Sequence, residues 1–363
     1  MSARAKATIT RYFAECDIQI GGSRPTDIQV RDERFYSRLL GQGSIGFGES
    51  YMDGWWEADN LDGMITMLLG SGLDQRVRSW RDIASLALAR LGNMQSRGRA
   101  FQVGERHYDI SNQLYERMLD RRMIYSCAYW VNASNLDEAQ EAKLDLVFRK
   151  LDLKPGQQVL DIGCGWGGSL KYAVEKYGVS GVGVTVSKEQ AGLARANCAG
   201  LPIEIRLVDY RELNQKFDHI YSIGMFEHVG PKNYRTYLEV VRRCLKDGGR
   251  FLLHTIGSGR QKSNVDIDPW LERYIFPNAV VPRQQQILDA IEGVFWLEGW
   301  QRIGPHYDTT LMAWRANFEK AWADLSKNLD ERFYRMWRYY LSSVAAGFRS
   351  RNADVWQALL SNA

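Results

Sequence analysis

One run constrains this chain more than any other: Val159-Leu-Asp-Ile-Gly-Cys-Gly-Trp-Gly-Gly168. A short β-rich segment over 158–162 carries an acid, Asp161, and leads at once into Gly163, Gly165, Gly167 and Gly168. A helical stretch over 168–177 follows. Glycines here admit positive φ and let the backbone approach a ligand closely. Further strand-like runs over 181–186, 203–208, 217–223 and 250–254 alternate with helical stretches such as 188–196, and 354–360 reads as a last strand. That alternation predicts βαβ units and a parallel sheet covered on both faces. Ligands of such sheets bind beyond the carboxyl ends of the strands, where the glycine loop sits.

The loop alone does not name its ligand, so the neighbouring strand ends must. A dinucleotide site places an acid about 20 residues past the glycines, on the ribose. Here the second strand ends Val184-Thr-Val-Ser187, without a carboxylate. The first strand instead carries its acid directly before the glycines, and the third ends Val208-Asp-Tyr-Arg211. This order resembles the S-adenosylmethionine (SAM) site of class I methyltransferases. The resemblance implies an α/β fold with a Rossmann-like class I methyltransferase sheet. It makes Asp209 an acceptor for the adenine amino group, a donor that needs one. The missing second-strand acid departs from the commonest methyltransferase pattern and leaves the ribose to Thr185, Ser187 or Gln190. Taken alone, Asp161 also reads as a residue capping the following turn.

A length of 363 residues suits about two domains. The net charge of +4 is too mild to require nucleic acid, and no nucleic-acid partner is expected. No run approaches the ~18 consecutive apolar residues that span a bilayer. The first ten residues lack a signal-peptide apolar segment, and the five cysteines form no CxxC pair or zinc-like spacing. The expectation is a cytoplasmic protein whose membrane contact is peripheral, on the inner face, with no metal. Aromatic residues make up 12% of the chain, fit either for a greasy cavity or for a large core.

Residues 1–90 lack the strand–helix alternation. Trp80, Ile83, Ala84, Ala87, Leu88, Leu91 and Met94 follow the spacing of an amphipathic helix. Seven arginines, Arg76, Arg78, Arg81, Arg90, Arg97, Arg99 and Arg106, face only Asp82 and Glu105 in this stretch. Such a segment either lies on an anionic membrane or is a solvated helix face followed by a polar linker. The expected division is an amino-terminal lipid- or membrane-binding domain over 1–96, a linker over 97–106 and a SAM-dependent catalytic domain over 107–363.

Four further segments sharpen the reading: Tyr125-Ser-Cys-Ala-Tyr-Trp130, Gly224-Met-Phe-Glu-His-Val-Gly-Pro-Lys-Asn-Tyr234, Phe251-Leu-Leu-His-Thr-Ile256 and Tyr307-Asp-Thr-Thr-Leu-Met-Ala-Trp314. With the glycine loop and Gly48-Glu-Ser-Tyr-Met-Asp-Gly-Trp-Trp56, they closely resemble the cyclopropane-fatty-acyl-phospholipid synthases over nearly the whole chain. The mycolic-acid cyclopropane synthases are similar only over the catalytic half. The resemblance implies methylene transfer from SAM to the cis double bond of an unsaturated acyl chain in a bilayer phospholipid, and a homodimer. Methyl transfer to an alkene leaves a carbocation, which aromatic faces stabilise without trapping it. Tyr125, Tyr129, Trp130, Phe226, Tyr274, Tyr307 and Trp314 are candidates for that task, and sequence does not rank them.

Ring closure then needs a proton acceptor. The resemblance implies a bound bicarbonate held by Cys127, Glu227, His254, Ile256 and Tyr307. Amides of Cys127 and Ile256, the His254 imidazole and the Tyr307 phenol are donors, and Glu227 is an acceptor for the bicarbonate hydroxyl. Tyr125, Ser126, Asp161, Gly163, Gly165, Thr185, Gln190 and Asp209 are the expected SAM contacts. Singly, each has a plainer reading: Cys127 as a small core residue, His254 as a core histidine, Glu227 as a helix-start carboxylate. Methylation without ring closure would use the same glycine loop and leave the bicarbonate set idle. A lipid-binding module built on a degenerate SAM fold is a third reading, opposed by the intact loop, Glu227 and His254.

Overall fold

The computed structural model describes residues 2–72, 112–259 and 267–362. These divide into two compact units that interleave along the sequence. The first comprises residues 2–72, 267–277 and 311–352; the second comprises 112–259, 278–310 and 353–362. Packing therefore departs from the linear division at 97–106, because two segments expected in the catalytic domain pack with the amino-terminal residues. The basic segment 76–106, with its predicted helix and linker, lies outside the described residues.

The first unit is helical. Helices Ser2–Glu15, Arg34–Met52 and Leu61–Ser71 are joined by a small antiparallel pair, β1 (Gln29–Val30) and β2 (Trp56–Glu57). Asn60 caps the third helix by accepting the Gly63 N–H at 3.0 Å, and Gly72 ends it at φ 73°. Pro269–Tyr274 and Glu331–Arg349 complete the packing. Much of the aromatic content is spent here. Phe47 stacks on Trp56 at 4.4 Å, Trp270 meets Tyr339 edge-on at 4.6 Å, and Trp337 meets Tyr340 at 5.1 Å. Gly48 is required in this core, since a Cβ there would fall 2.5 Å from the Trp270 ring.

The second unit is a seven-stranded sheet: β3 (Gln158–Ile162), β4 (Ser180–Thr185), β5 (Ile203–Leu207), β6 (Phe217–Ile223), β7 (Leu245–Ser258), β8 (Trp296–Arg302) and β9 (Ala353–Ser361). The spatial order is β5-β4-β3-β6-β7-β9-β8, parallel from β5 to β7 and antiparallel at β9 and β8. Successive strand residues point to opposite faces and build two cores. Leu160 and Ile162 pack with Leu238, Val241 and Ile287 on one face. Val159 packs with Leu144, Phe148 and Leu170 on the other. The strand–helix alternation expected from sequence is present, with two differences. β7 is much longer than 250–254, because antiparallel β9 pairs with it from Arg250 to Ser258. β8, half exposed and irregular in register, has no strong apolar pattern and was not expected. Helix Pro305–Leu325 begins at a proline, a residue suited to a first helical turn. Among the described residues, no helix is long and apolar enough to cross a membrane.

Candidate functional site

The glycine loop lies at the carboxyl end of β3, facing a cavity of about 190 Å³. Gly163, Gly165 and Gly167 have φ of 89°, 54° and 84°, the left-handed region that disfavours side chains. A Cβ at Gly163 would fall 2.7 Å from Met225, whereas one at Gly165 would enter open space. The amides of Gly163 and Cys164 both donate to the Val184 carbonyl, at 2.9 and 3.1 Å, tying the loop to β4.

All eight residues expected to contact SAM line this cavity: Tyr125, Ser126, Asp161, Gly163, Gly165, Thr185, Gln190 and Asp209. Asp161 is buried; its Oδ2 accepts the Ser169 hydroxyl at 2.7 Å, and Ser169 lies 2.9 Å from the Tyr221 hydroxyl. Burial, offset in part by these hydroxyls, pushes the Asp161 carboxyl up to about 7. Thr185 donates to Gln190 Oε1 at 3.2 Å and accepts the Ser187 N–H at 3.1 Å, and Ser187 caps the next helix. Asp209, the expected adenine acceptor, already holds Arg211. Its Oδ1 accepts the Arg211 amide and Nε at 2.9 and 2.8 Å, and its Oδ2 accepts Nη2 at 2.9 Å. A carboxylate has about four acceptor positions, so room for one more donor remains.

Two residues that support this wall were missed by sequence reasoning. Helix Leu136–Leu151 buries a stripe of Ala139, Leu144, Val147 and Phe148, and the polar Gln140 and Lys143 share that burial. Gln140 Nε2 donates to the carbonyls of Ile124 and Ser126 at 3.2 and 2.9 Å, and Lys143 Nζ donates to the Ser126 hydroxyl at 2.8 Å. Together they hold the Tyr125–Ser126 segment against the cavity. Burial pushes the Lys143 ammonium down to about 8. The readable signal was two polar residues three apart on an apolar helix face.

The remaining predicted residues gather near the β6, β7 and β9 strand ends. Glu227 sits in the 3₁₀ turn Phe226–His228, directly after the lining residue Met225. Its Oε1 accepts the Ile256 amide at 2.5 Å, so that amide serves the carboxylate and is not an open donor as expected. Among the described residues Glu227 Oε2 is buried without a hydrogen-bond partner, and burial, opposed by the Ile256 amide and the nearby Thr255 hydroxyl, pushes this carboxyl above its ordinary range. His254 and Ile256 share one face of β7, two residues apart. Burial, with Lys143 and Lys150 nearby, holds the His254 imidazole well below its usual range. Cys127 is fully buried next to the lining residue Ser126, its thiol 3.3 Å from the Ala128 carbonyl and 3.8 Å from that of Ile303. Burial pushes its thiol far up and favours the neutral form. Tyr307 stands in the first turn of helix Pro305–Leu325, its amide donating to Gly304. The structure thus joins Glu227 to Ile256, sets His254 on the same strand, and seats Cys127 against Ile303, one turn from Tyr307. Of the candidate aromatics, Phe226 and Trp314 are core residues, and Tyr274 belongs to the first unit, bonded to Glu49 at 2.7 Å.

The profile of the mycolic acid cyclopropane synthetase family matches residues 95–358. The chain belongs to that family. It is 52% identical over 350 residues to the cyclopropane-fatty-acyl-phospholipid synthase of Escherichia coli strain K12, covering 96% of this chain and 91% of that one. It is 33% identical to the tuberculostearic acid methyltransferase UfaA1 of Mycobacterium tuberculosis, over 90% and 81% of the two chains. Among solved structures, the mycolic acid cyclopropane synthase CmaA1 complexed with SAH and CTAB matches with a TM-score of 0.68 and 32% identity, covering 72% of this chain and 98% of that chain. Coclaurine N-methyltransferase, at 21% identity, a TM-score of 0.72 and coverage of 88% and 99%, shares the fold. The family's sheet is that of a class I SAM methyltransferase.

Proposed function

We propose that this chain transfers a methylene group from SAM to the cis double bond of unsaturated acyl chains in membrane phospholipids, closing a cyclopropane ring with bound bicarbonate as proton acceptor. The observation that carries this reading is the 52% identity to a cyclopropane-fatty-acyl-phospholipid synthase over 96% of the chain. That span takes in the segment before residue 95, which the family profile leaves out.

The cavity residues suit SAM. Gly165 admits a ligand where any side chain would intrude, and Asp161 offers a buried carboxyl beside it. Thr185 and Asp209, at the ends of the next two strands, and Gln190, on the helix after the first of them, line the cavity and support roles toward the ribose and adenine. SAM supplies an electrophilic methyl on a sulfonium centre. Apolar walls from Ile162, Val184, Ile223 and Met225 keep water from competing with an alkene, a poor nucleophile. Bicarbonate is supported by Glu227 Oε2, a buried acceptor without a donor among the described residues, the group that a bicarbonate hydroxyl would satisfy. Bicarbonate supplies an oxyanion to receive the proton lost on ring closure. Glu227 orients it, and His254 donates to it.

The same reading places the protein peripherally on the inner face of the membrane as a homodimer. Arg76, Arg78 and Arg81 contribute attraction to anionic headgroups. Charge reversal at the three should cut vesicle binding in low salt; unchanged binding would remove this part. The deciding experiment incubates the pure protein with SAM and unsaturated phospholipid vesicles and analyses the acyl chains by mass spectrometry. Gain of one CH₂ with loss of alkene reactivity supports ring formation. Gain of CH₂ with the alkene retained would mean methylation alone, and no gain would overturn the assignment.

A further inference from the structure

Across the antiparallel ladder of β7 and β9, His254 lies opposite Gln357. Both are buried, with 2% and 1% exposure, so hydrogen bonds within the protein decide their orientation. Gln357 Nε2 is 3.2 Å from His254 Nδ1, and Gln357 Oε1 accepts Lys150 Nζ at 2.5 Å. An ammonium has only donors, so the Gln357 carbonyl must face Lys150 and the amide NH₂ must face the imidazole. An amide nitrogen in turn only donates, so His254 Nδ1 must accept. A neutral imidazole with Nδ1 accepting carries its proton on Nε2.

We propose that Gln357, oriented by Lys150, is a positioning residue that fixes His254 as the Nε2–H tautomer, a hydrogen-bond donor toward the anion beside Glu227 and not a base. Neither ring nitrogen then has a free lone pair, so the proton released on ring closure must go to another acceptor. This rests on the reading of His254 as an anion ligand. Burial and the charges of Lys143 and Lys150, both on helix Leu136–Leu151, keep the ring neutral. Burial pushes Lys150 down to about 8, which leaves it protonated at neutral pH. Glu227, from its 3₁₀ turn, is engaged by the Ile256 amide on the same strand.

The test is nitrogen-15 NMR of the full-length protein with labelled histidine. The five histidines make assignment direct, because His254→Gln removes one ring system. The expected native signal is a protonated Nε2 and an unprotonated Nδ1. Gln357→Glu places an acceptor-only carboxylate there, which should move the proton to Nδ1 and cut kcat by roughly 10–100-fold, the usual cost of losing an orienting partner. Affinity for S-adenosylhomocysteine, read by calorimetry, should stay within about twofold. Gln357→Met should give a mixture of tautomers and a smaller loss of kcat. A native Nδ1–H tautomer overturns the proposal, as does an inverted tautomer with unchanged kcat. If Gln357→Glu fails to fold, the native spectrum still decides the tautomer. Full activity in His254→Gln would defeat the anion-ligand reading while leaving the tautomer measurement intact, so the two failures are distinguishable.

Discussion

The two ends of the site are built by different means. At the β3–β4–β5 end, the cavity is shaped by backbone: positive φ at three glycines, amides tied to Val184, and strand tips that follow one another in the chain. At the β6–β7–β9 end, four distant segments meet through single buried bonds: Glu227 with the Ile256 amide, Gln357 with His254, and Lys150 with Gln357. A backbone cradle spreads its function over many groups and tolerates single side-chain losses. A corner of buried polar groups concentrates function in each one, because each missing partner leaves a desolvated group unsatisfied.

The largest effect should therefore come from the corner. Glu227→Gln keeps the shape, and its amide NH₂ is a donor where an acceptor is needed; kcat for ring formation should fall roughly 10²–10⁴-fold with S-adenosylhomocysteine affinity little changed. A loss under tenfold in a vesicle assay would break the contrast. Next comes Gly163→Ala, which forces a residue at φ 89° and a Cβ 2.7 Å from Met225. Backbone strain of about 1–3 kcal/mol should lower stability by that amount in a urea titration, and the loop shift that relieves it should weaken S-adenosylhomocysteine binding by calorimetry. Gly165→Ala, facing open space, should cost less fold stability than Gly163→Ala in the same urea titration.

A pH test sharpens the comparison further. The Asp161 carboxyl is raised to about 7 from 3.8, so between those values the folded state binds more protons than the unfolded one. Its contribution to stability therefore falls as pH rises from about 4 to about 7. Asp161→Asn should remove that slope, seen as a smaller difference between urea midpoints at pH 5 and pH 8. The smallest effect is expected for Thr185→Val, which loses the acceptor of the Ser187 amide and the bond to Gln190. About 1 kcal/mol of stability and a few-fold in ligand affinity should be the full cost. A loss as large as that of Glu227→Gln would erase the distinction.

Legibility in the sequence follows the same divide. The glycine loop after Asp161 and the tips at Thr185 and Asp209 are local motifs, each fixed by the strand just before it, and Asp161, Gly163, Gly165, Thr185 and Asp209 line the cavity. Cys127, Glu227, His254, Ile256 and Tyr307 were named through resemblance between whole segments; nothing in their spacing showed that Ile256 would bond Glu227. Gln140, Lys143 and Gln357 were passed over because a polar residue in an apolar stripe gives its position without its partner. The pairing of the late helices with the amino-terminal residues was equally hidden, since aromatic helices at Phe318 and Trp337 satisfy any apolar surface offered to them.

The chain by itself determined the parallel sheet, the glycine turn and the acid before it, because periodicity and φ preference are properties of neighbouring residues. Which polar groups meet in the dark behind that turn was decided only by tertiary structure. Burial holds the Glu227 carboxyl above and the His254 ring well below their ordinary ranges, and burial belongs to the packed molecule and not to any stretch of its sequence.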